Sequence, residues 1–147
     1  MAQSDTPVAD PALLEQAREF LGSDLRFATI ATIGSDGAPH QAVVWFLFAA
    51  DVLVMNSAAG RAWPANLARD PRASVTVEDG YLWLSIRGTV EVDDDPTRAQ
   101  ADIAAMARRY HADEPDRAER MIRDRFERQH RISFHLPLAT SRLHFEE

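Results

Sequence analysis

The chain has 147 residues, enough for one domain, and 46% of them are hydrophobic, the share of an ordinary globular protein with a real core. Its formal net charge is -7, which argues against general binding to phosphate backbones, since these demand a surplus of cations. No cysteine is present, so a disulfide framework, a thiolate metal site and a cysteine nucleophile are all excluded. Every basic residue is arginine, so a bound anion will meet guanidinium forks or backbone N–H groups and never a lysine. No apolar run approaches the roughly 20 residues that cross a bilayer. The start MAQSDTPVADPALLEQ lacks the basic and apolar segments of a signal peptide, and the expectation is a cytoplasmic protein.

Residues 1–9 are polar and interrupted by proline, and read as a loose arm before a single domain over residues 10–147. Asp10 can cap a helix with Pro11 in its first position, and Leu13, Leu14, Ala17, Phe20 and Leu21 then share one face before Gly22 ends it. Phe27 to Ile33 is β-branched and alternating, hence a strand, and Ser35-Asp36-Gly37 is a turn. His40 to Phe48 reads as one near-continuous apolar strand buried on both faces, with Ala50-Asp51 turning it into Val52 to Asn56. Gly60 to Arg69 is a short helix with Pro64 near its first turn, stopped by Asp70-Pro71. Ala73 to Glu78 and Tyr81 to Val92 form a strand pair around Asp79-Gly80. A helix then opens at Asp93-Asp94-Asp95-Pro96 with Ile103, Met106, Ala107 and Tyr110 as its stripe, followed by a charged helical stretch from Glu114 to Arg128. Arg131 to Phe145 returns to alternation on either side of Pro137. Consecutive hairpins cannot make a parallel sheet, and apolar strands of this kind must close on themselves or pair with a second sheet. The pattern supports a mainly β fold, a small antiparallel barrel with peripheral helices.

The stretch from Asn56 to Arg72, NSAAGRAWPANLARDPR, carries the most chemistry. Ala58, Ala59 and Gly60 would leave backbone N–H groups approachable at a helix start, and Arg61 stands at that mouth with a fork suited to phosphate or carboxylate. By itself a strand, a loop of small residues, an arginine and a helix describe many solvated turns as well. Trp45 in an apolar strand is more often a core anchor than a ring-stacking residue, and Trp63 and Trp83 read as a dimer contact or a pocket wall. His130, His135 and His144 have no carboxylates at metal-ligand spacing and read as surface or interface residues. The acidic runs Asp93–Asp95 and Asp113–Asp116 read as helix caps and turns, not paired catalytic carboxylates.

The segments ATIGSDGAPHQAVVWF and LVMNSAAGRAWPANLARDPRASVTVED, with the strand carrying Arg87-Gly88-Thr89-Val90, resemble the pyridoxamine 5'-phosphate oxidase-like superfamily, and more narrowly its branch that uses the deazaflavin coenzyme F420. The resemblance runs from about Leu25 to Val92, and its strongest piece is the run Asn66 to Arg72, a structural signature. It implies a six-stranded antiparallel split β-barrel that works as a homodimer, with the cofactor in a cleft between subunits. It lays the strand His40, Gln41, Ala42, Val43, Val44 and Trp45 along the cofactor ring. Asn56 and Ser57 fall near the ribityl chain and phosphate, and Arg61 falls on the phosphate. Trp63, Pro64 and Asn66 belong to the same cofactor-binding stretch, and Arg87 could reach an anionic tail.

Two departures from the family pattern bear on the cofactor. Trp63 stands where the family commonly has lysine, and His40 and Trp45 stand where the vitamin B6 oxidases place arginine and lysine. The missing cations favour F420 over FMN, and the pyridoxal-phosphate residues of the true B6 oxidases are not recognisable. The implied function is hydride transfer between F420 and a small unsaturated or oxidised organic molecule, with no named acid–base residue and no metal. The alternatives are an FMN-dependent oxidase or reductase on the same fold, a non-catalytic flavin or F420 carrier or sensor, and a haem-binding relative, for which no axial histidine is well placed.

Overall fold

The computed structural model describes residues 9–147, and within them the chain forms two antiparallel sheets packed face to face. The first sheet has the order β2-β1-β5-β6-β9, with β1 (Ala28–Ile33), β2 (Pro39–Val44), β5 (Arg72–Glu78), β6 (Trp83–Thr89) and β9 (Arg142–Glu146). The second has the order β3-β4-β8-β7, with β3 (Leu47–Ala49), β4 (Val52–Ala58), β7 (Glu91–Asp93) and β8 (Arg131–Pro137). The helices are α1 (Pro11–Gly22), α2 (Ala62–Arg69), α3 (Pro96–Tyr110) and α4 (Pro115–Asp124). None of the described helices is long and apolar enough to cross a membrane.

Alternation builds the core. Ile30 of β1, Val75 and Val77 of β5, and Leu84 and Ile86 of β6 point inward and meet Leu53, Met55, Phe134 and Leu136 of the second sheet. Burying each such side chain contributes about 1.5–3 kcal/mol. Helix α1 closes one side with Ala17, Phe20 and Leu21. Its start is set by the Asp10 carboxylate, which accepts the N–H groups of Ala12 (2.9 Å) and Leu13 (3.1 Å), with Pro11 preset for the first turn. Helix α3 starts the same way, the Asp95 carboxylate accepting from the Arg98 N–H. Gly88 allows β6 to approach the Leu138–Thr140 turn, since a Cβ there would run into the Ser141 hydroxyl. A second apolar cluster joins α3 and α4 through Ile103, Met106, Ala107, Ala118, Ile122 and Phe126, and it packs against Trp45, Leu47 and Val54.

The sheets are not closed into one continuous barrel, and nine strand segments replace the six of the expected split barrel. The reason is that three expected segments divide between the sheets, Arg131 to Phe145 doing so at the Leu138–Thr140 turn between β8 and β9. His40 to Phe48 breaks after Val44, where the Phe46 N–H donates to the Tyr110 hydroxyl (3.1 Å) and the Phe46 ring turns into the core. Far from being buried on both faces, β2 is an edge strand with Pro39, His40, Gln41 and Val43 exposed. The expected strand from Tyr81 to Val92 breaks at buried Val90, whose N–H donates to the Pro71 carbonyl (2.8 Å), so that β6 and β7 belong to different sheets. The charged stretch from Glu114 breaks too, with α4 ending at Asp124 and a 3-10 turn over Phe126–Arg128 leading into β8. Residues 1–8 of the expected arm lie outside the described residues. Ala9 does not behave as part of a loose arm: it is buried and donates its N–H to the Ala139 carbonyl (3.0 Å).

Candidate functional site

The break between β2 and β3, the turn from β4 into α2, and the α3–α4 pair converge on a cleft of about 270 Å³. Its apolar walls come from Ile103 and Met106 of α3, Met121 of α4, and the rings of Trp45, Trp63 and Phe126. Trp45 is held by aromatic packing. It stacks on Tyr110 (centroids 5.1 Å apart, planes at 12°) and meets Phe126 edge-on (6.4 Å, 87°). Tyr110 is itself fixed, donating its hydroxyl to the Arg26 carbonyl (2.5 Å) while accepting the Phe46 N–H. Burial first of all raises the Tyr110 hydroxyl above the usual tyrosine range.

The polar side of the cleft is cationic. Arg61, Arg125 and Arg131 all line it, and no carboxylate does among the described residues. Arg61 precedes α2 and is exposed, as is Arg125 at the end of α4, whereas Arg131 opens β8 and is only 6% exposed. The Phe126 ring organises two of them, with the Arg131 guanidinium carbon 4.9 Å and that of Arg125 5.9 Å from its centroid. Arg131 Nε donates to Asn56 Oδ1 (2.9 Å) and Nη1 to Gln129 Oε1 (2.7 Å). Asn56 Nδ2 donates to the Ala99 carbonyl (2.9 Å) and to Ser133 Oγ (3.1 Å), and Ser133 donates to Asp102 Oδ2 (2.6 Å). A chain through Asn56 and Ser133 thus ties the buried guanidinium to the Asp102 carboxylate of α3. Burial, then the neighbouring charges of Arg61 and Arg125, pull the Arg131 guanidinium down to about 10.

Of the residues singled out in the sequence, Ala42, Val43, Val44, Trp45, Asn56, Arg61 and Trp63 line this cleft. His40 and Gln41 sit on the exposed edge of β2 and do not line it. Asn56 lines the cleft, but its amide bonds are consumed within the protein. Ser57 is buried, and its hydroxyl donates to the Ala58 carbonyl (3.0 Å). Trp63 is only 4% exposed and packs on Phe134, with Pro64 buried beside it. Asn66 braces α2 against β1, donating to Thr32 Oγ1 (3.0 Å) and accepting from Arg69 (2.8 Å), away from the cleft. Arg87 lies elsewhere, exposed on β6 in a groove it shares with Arg142, its register partner on β9. The Ala59 N–H is not free for an anion, because it donates to the His130 carbonyl (2.8 Å). His135 is not simply a surface residue either: its Nε2 is buried without a hydrogen-bond partner, 3.8 Å from Asp93 Oδ2.

Arg125 and Arg131 escaped sequence reasoning, as did Met106, Met121 and Phe126 as cleft residues. One signal was present. In Arg131-Ile132-Ser133 the alternation places an arginine on the same side as a serine at the head of an otherwise apolar strand.

Two open sheets sharing one core, with a cationic cleft where a strand changes sheets, are the architecture of a split-barrel protein. The family model described as pyridoxamine 5'-phosphate oxidase matches residues 13–132, and the chain belongs to that family. Among solved structures it is similar to a conserved hypothetical protein from Mycobacterium tuberculosis, at 24% identity over 97% of this chain and 88% of that one, with a TM-score of 0.71. It is also similar to an F420 reductase (23% identity, 88% and 94% covered, TM-score 0.63). A haem-binding protein from Mycobacterium smegmatis matches at 20% identity over 88% of this chain and 52% of that one, with a TM-score of 0.63.

Proposed function

We propose that the chain is an oxidoreductase that holds coenzyme F420 in this cleft and serves hydride transfer to a small unsaturated or oxidised organic substrate. The observation that carries the reading is the trio Arg61, Arg125 and Arg131 on a cleft with aromatic and thioether walls and, among the described residues, no lining carboxylate. Guanidinium forks fit a phosphate, and flat apolar walls fit a ring. When bound, the deazaflavin supplies the redox step, so the protein needs only to place and shield it. Arg61 and Arg125, both exposed, receive the phosphate oxygens at the mouth. Trp45, immobilised on Tyr110, gives the ring a rigid wall, and Met106 and Met121 keep water from it. Among the described residues no carboxylate lines the cleft to act as acid or base, and solvent can deliver the proton.

We place further walls of the cleft on a second copy of the chain. The exposed edge strand β2 runs beside the cleft with Val43 71% exposed, and Phe27 nearby is 57% exposed, which suits a homodimer contact.

FMN is the second reading, and a specific observation favours it. The case against FMN rests on uncharged or weakly basic residues at His40, Trp45 and Trp63, yet Arg125 and Arg131 bring two other cations to the same cleft. They could balance a terminal phosphate that carries nearly two charges as well as the singly charged diester of F420. Titration with each cofactor, followed by the fluorescence of Trp45 and Trp63, separates the readings. F420 is expected to bind at least about tenfold tighter, the scale of one charge-assisted contact, and reduced F420 should be reoxidised by a panel of small acceptors. Tightly copurified FMN would support the second reading, and no response to either cofactor would end both.

A further inference from the structure

Arg131 poses a problem that the proposed cofactor site does not by itself resolve. It is 6% exposed, and no carboxylate pairs with it among the described residues. A buried charge without a counter-charge costs stability, and here the cost is compounded by two like charges lining the same cleft. Its hydrogen bonds to Asn56 and Gln129 satisfy two nitrogens with neutral acceptors and leave its charge uncompensated. Among the described residues Nη2 has no hydrogen-bond acceptor, and Arg131 lines the cleft.

We infer that Arg131 is the fixed anion anchor of the cleft, oriented by Asn56 and kept at the expense of stability in the ligand-free protein. The inference rests on the reading of the cleft as a cofactor site and adds the chemistry of what binds there. The ligand must present at least two negative charges to three guanidiniums. Such a pair could be a doubly ionised phosphomonoester or a phosphodiester next to a carboxylate. Arg61 and Arg125, both exposed, adjust to the ligand, whereas Arg131 is already ordered by Asn56, Gln129 and Phe126 and loses little freedom on binding. Asn56 and Ser133 act on the ligand only through Arg131 and are positioning residues.

The experiment is thermal unfolding and calorimetric titration of the full chain with inorganic pyrophosphate as the multiply charged anionic probe, at low and high salt, for the wild type, Arg131→Gln, Arg131→Lys and Arg61→Ala. Pyrophosphate should raise the unfolding temperature of the wild type, less so at high salt. Arg131→Gln should unfold at or above the wild-type temperature without ligand, and should bind pyrophosphate at least about tenfold more weakly. Arg131→Lys keeps the charge without the fork and should fall between. A purely structural arginine gives the opposite pattern: Arg131→Gln unfolds at a lower temperature and binds pyrophosphate as the wild type does, which overturns the inference. Absence of any pyrophosphate response in the wild type overturns it as well. If Arg131→Gln does not fold, Arg131→Lys decides: wild-type affinity with no change in salt dependence rejects the anchor, and weakened affinity in a folded protein supports it. Methyl phosphate and F420 then separate the two sources of charge. Pyrophosphate binding that depends on Arg131, without binding of F420 or FMN, would sink the cofactor reading and leave the anchor standing. F420 bound equally by the wild type and Arg131→Gln would do the reverse.

Discussion

Arg87 and Arg131 both lack a carboxylate partner among the described residues, yet they live under opposite conditions. Arg87 is exposed on β6, opposite Arg142 on β9, so two like charges face each other across a pair of strands. Water screens that pair, and the repulsion is worth at most about 0.2–1 kcal/mol. Arg131 has almost no water to share, and its neighbours Arg61 and Arg125 add to the cost. Elsewhere on the surface, arginines are bridged, as in Arg18 with Asp51 (2.7 Å) and Arg108 with Glu119 (2.8 Å), where exposure again leaves the pair worth little. An unpaired arginine therefore locates a binding site only when it is buried. The groove around Arg87 and the cleft around Arg131 are alike in charge and differ in consequence.

The strongest way to break this contrast is to remove the platform that burial rests on. Phe126 is 5% exposed beneath two guanidiniums, so Phe126→Ala should cost about 3–5 kcal/mol in urea unfolding and abolish cofactor binding. Stability close to wild type would mean that the α3–α4 cluster does not hold the cleft together. Next in size, Arg61→Ala should weaken cofactor binding by about 1.5–3 kcal/mol while leaving stability within about 0.5 kcal/mol, because its side chain is exposed. Arg87→Ala should shift both quantities by no more than about 0.5 kcal/mol. A larger loss of affinity there would mean that a second copy brings this arginine to the cleft. The smallest effect concerns acid stability. Hydrogen bonds from Arg98 (2.8 and 3.0 Å) hold the Asp93 carboxyl below the usual carboxylate range. Its folded value lies below its unfolded one, so the stabilisation is present above about pH 4 and is lost as the pH falls through the folded value. Arg98→Gln should thus lower stability slightly near neutrality, with the gap to wild type closing in acid-unfolding curves as the pH falls through the folded value.

Local chemistry made much of the fold readable. Asp10-Pro11 announced α1, FATIATI announced β1, and Asp95-Pro96 announced α3, because caps and alternation act over a few residues. The sheet changes at Trp45–Phe46 and at Val90 were not readable. Alternation says which residues point inward, not which sheet the next residue joins, and the Tyr110 hydroxyl that captures the Phe46 N–H lies 64 positions away. The site divides along the same line. The stretch Val43 to Trp63 contributed Arg61 and both tryptophans because they lie close in sequence to a recognisable turn. Asn56 was read as a ligand contact, but its partners Ala99, Ser133 and Arg131 lie 43 to 77 positions away. Arg125 and Arg131 sit among many arginines of a charged helix and its exit. Only folding separates those that face the cleft from those that face water.

The central question is whether the phosphate of the cofactor meets the arginines of the cleft. Fluorescence titration of wild-type protein and of an Arg61→Ala/Arg125→Ala double variant with F420 tests this most directly, since both side chains are exposed and neither supports the core. The expected result is a variant with unchanged circular dichroism and an affinity at least about a hundredfold weaker, the sum of two charge-assisted contacts. A variant that binds F420 as tightly as the wild type would contradict the account.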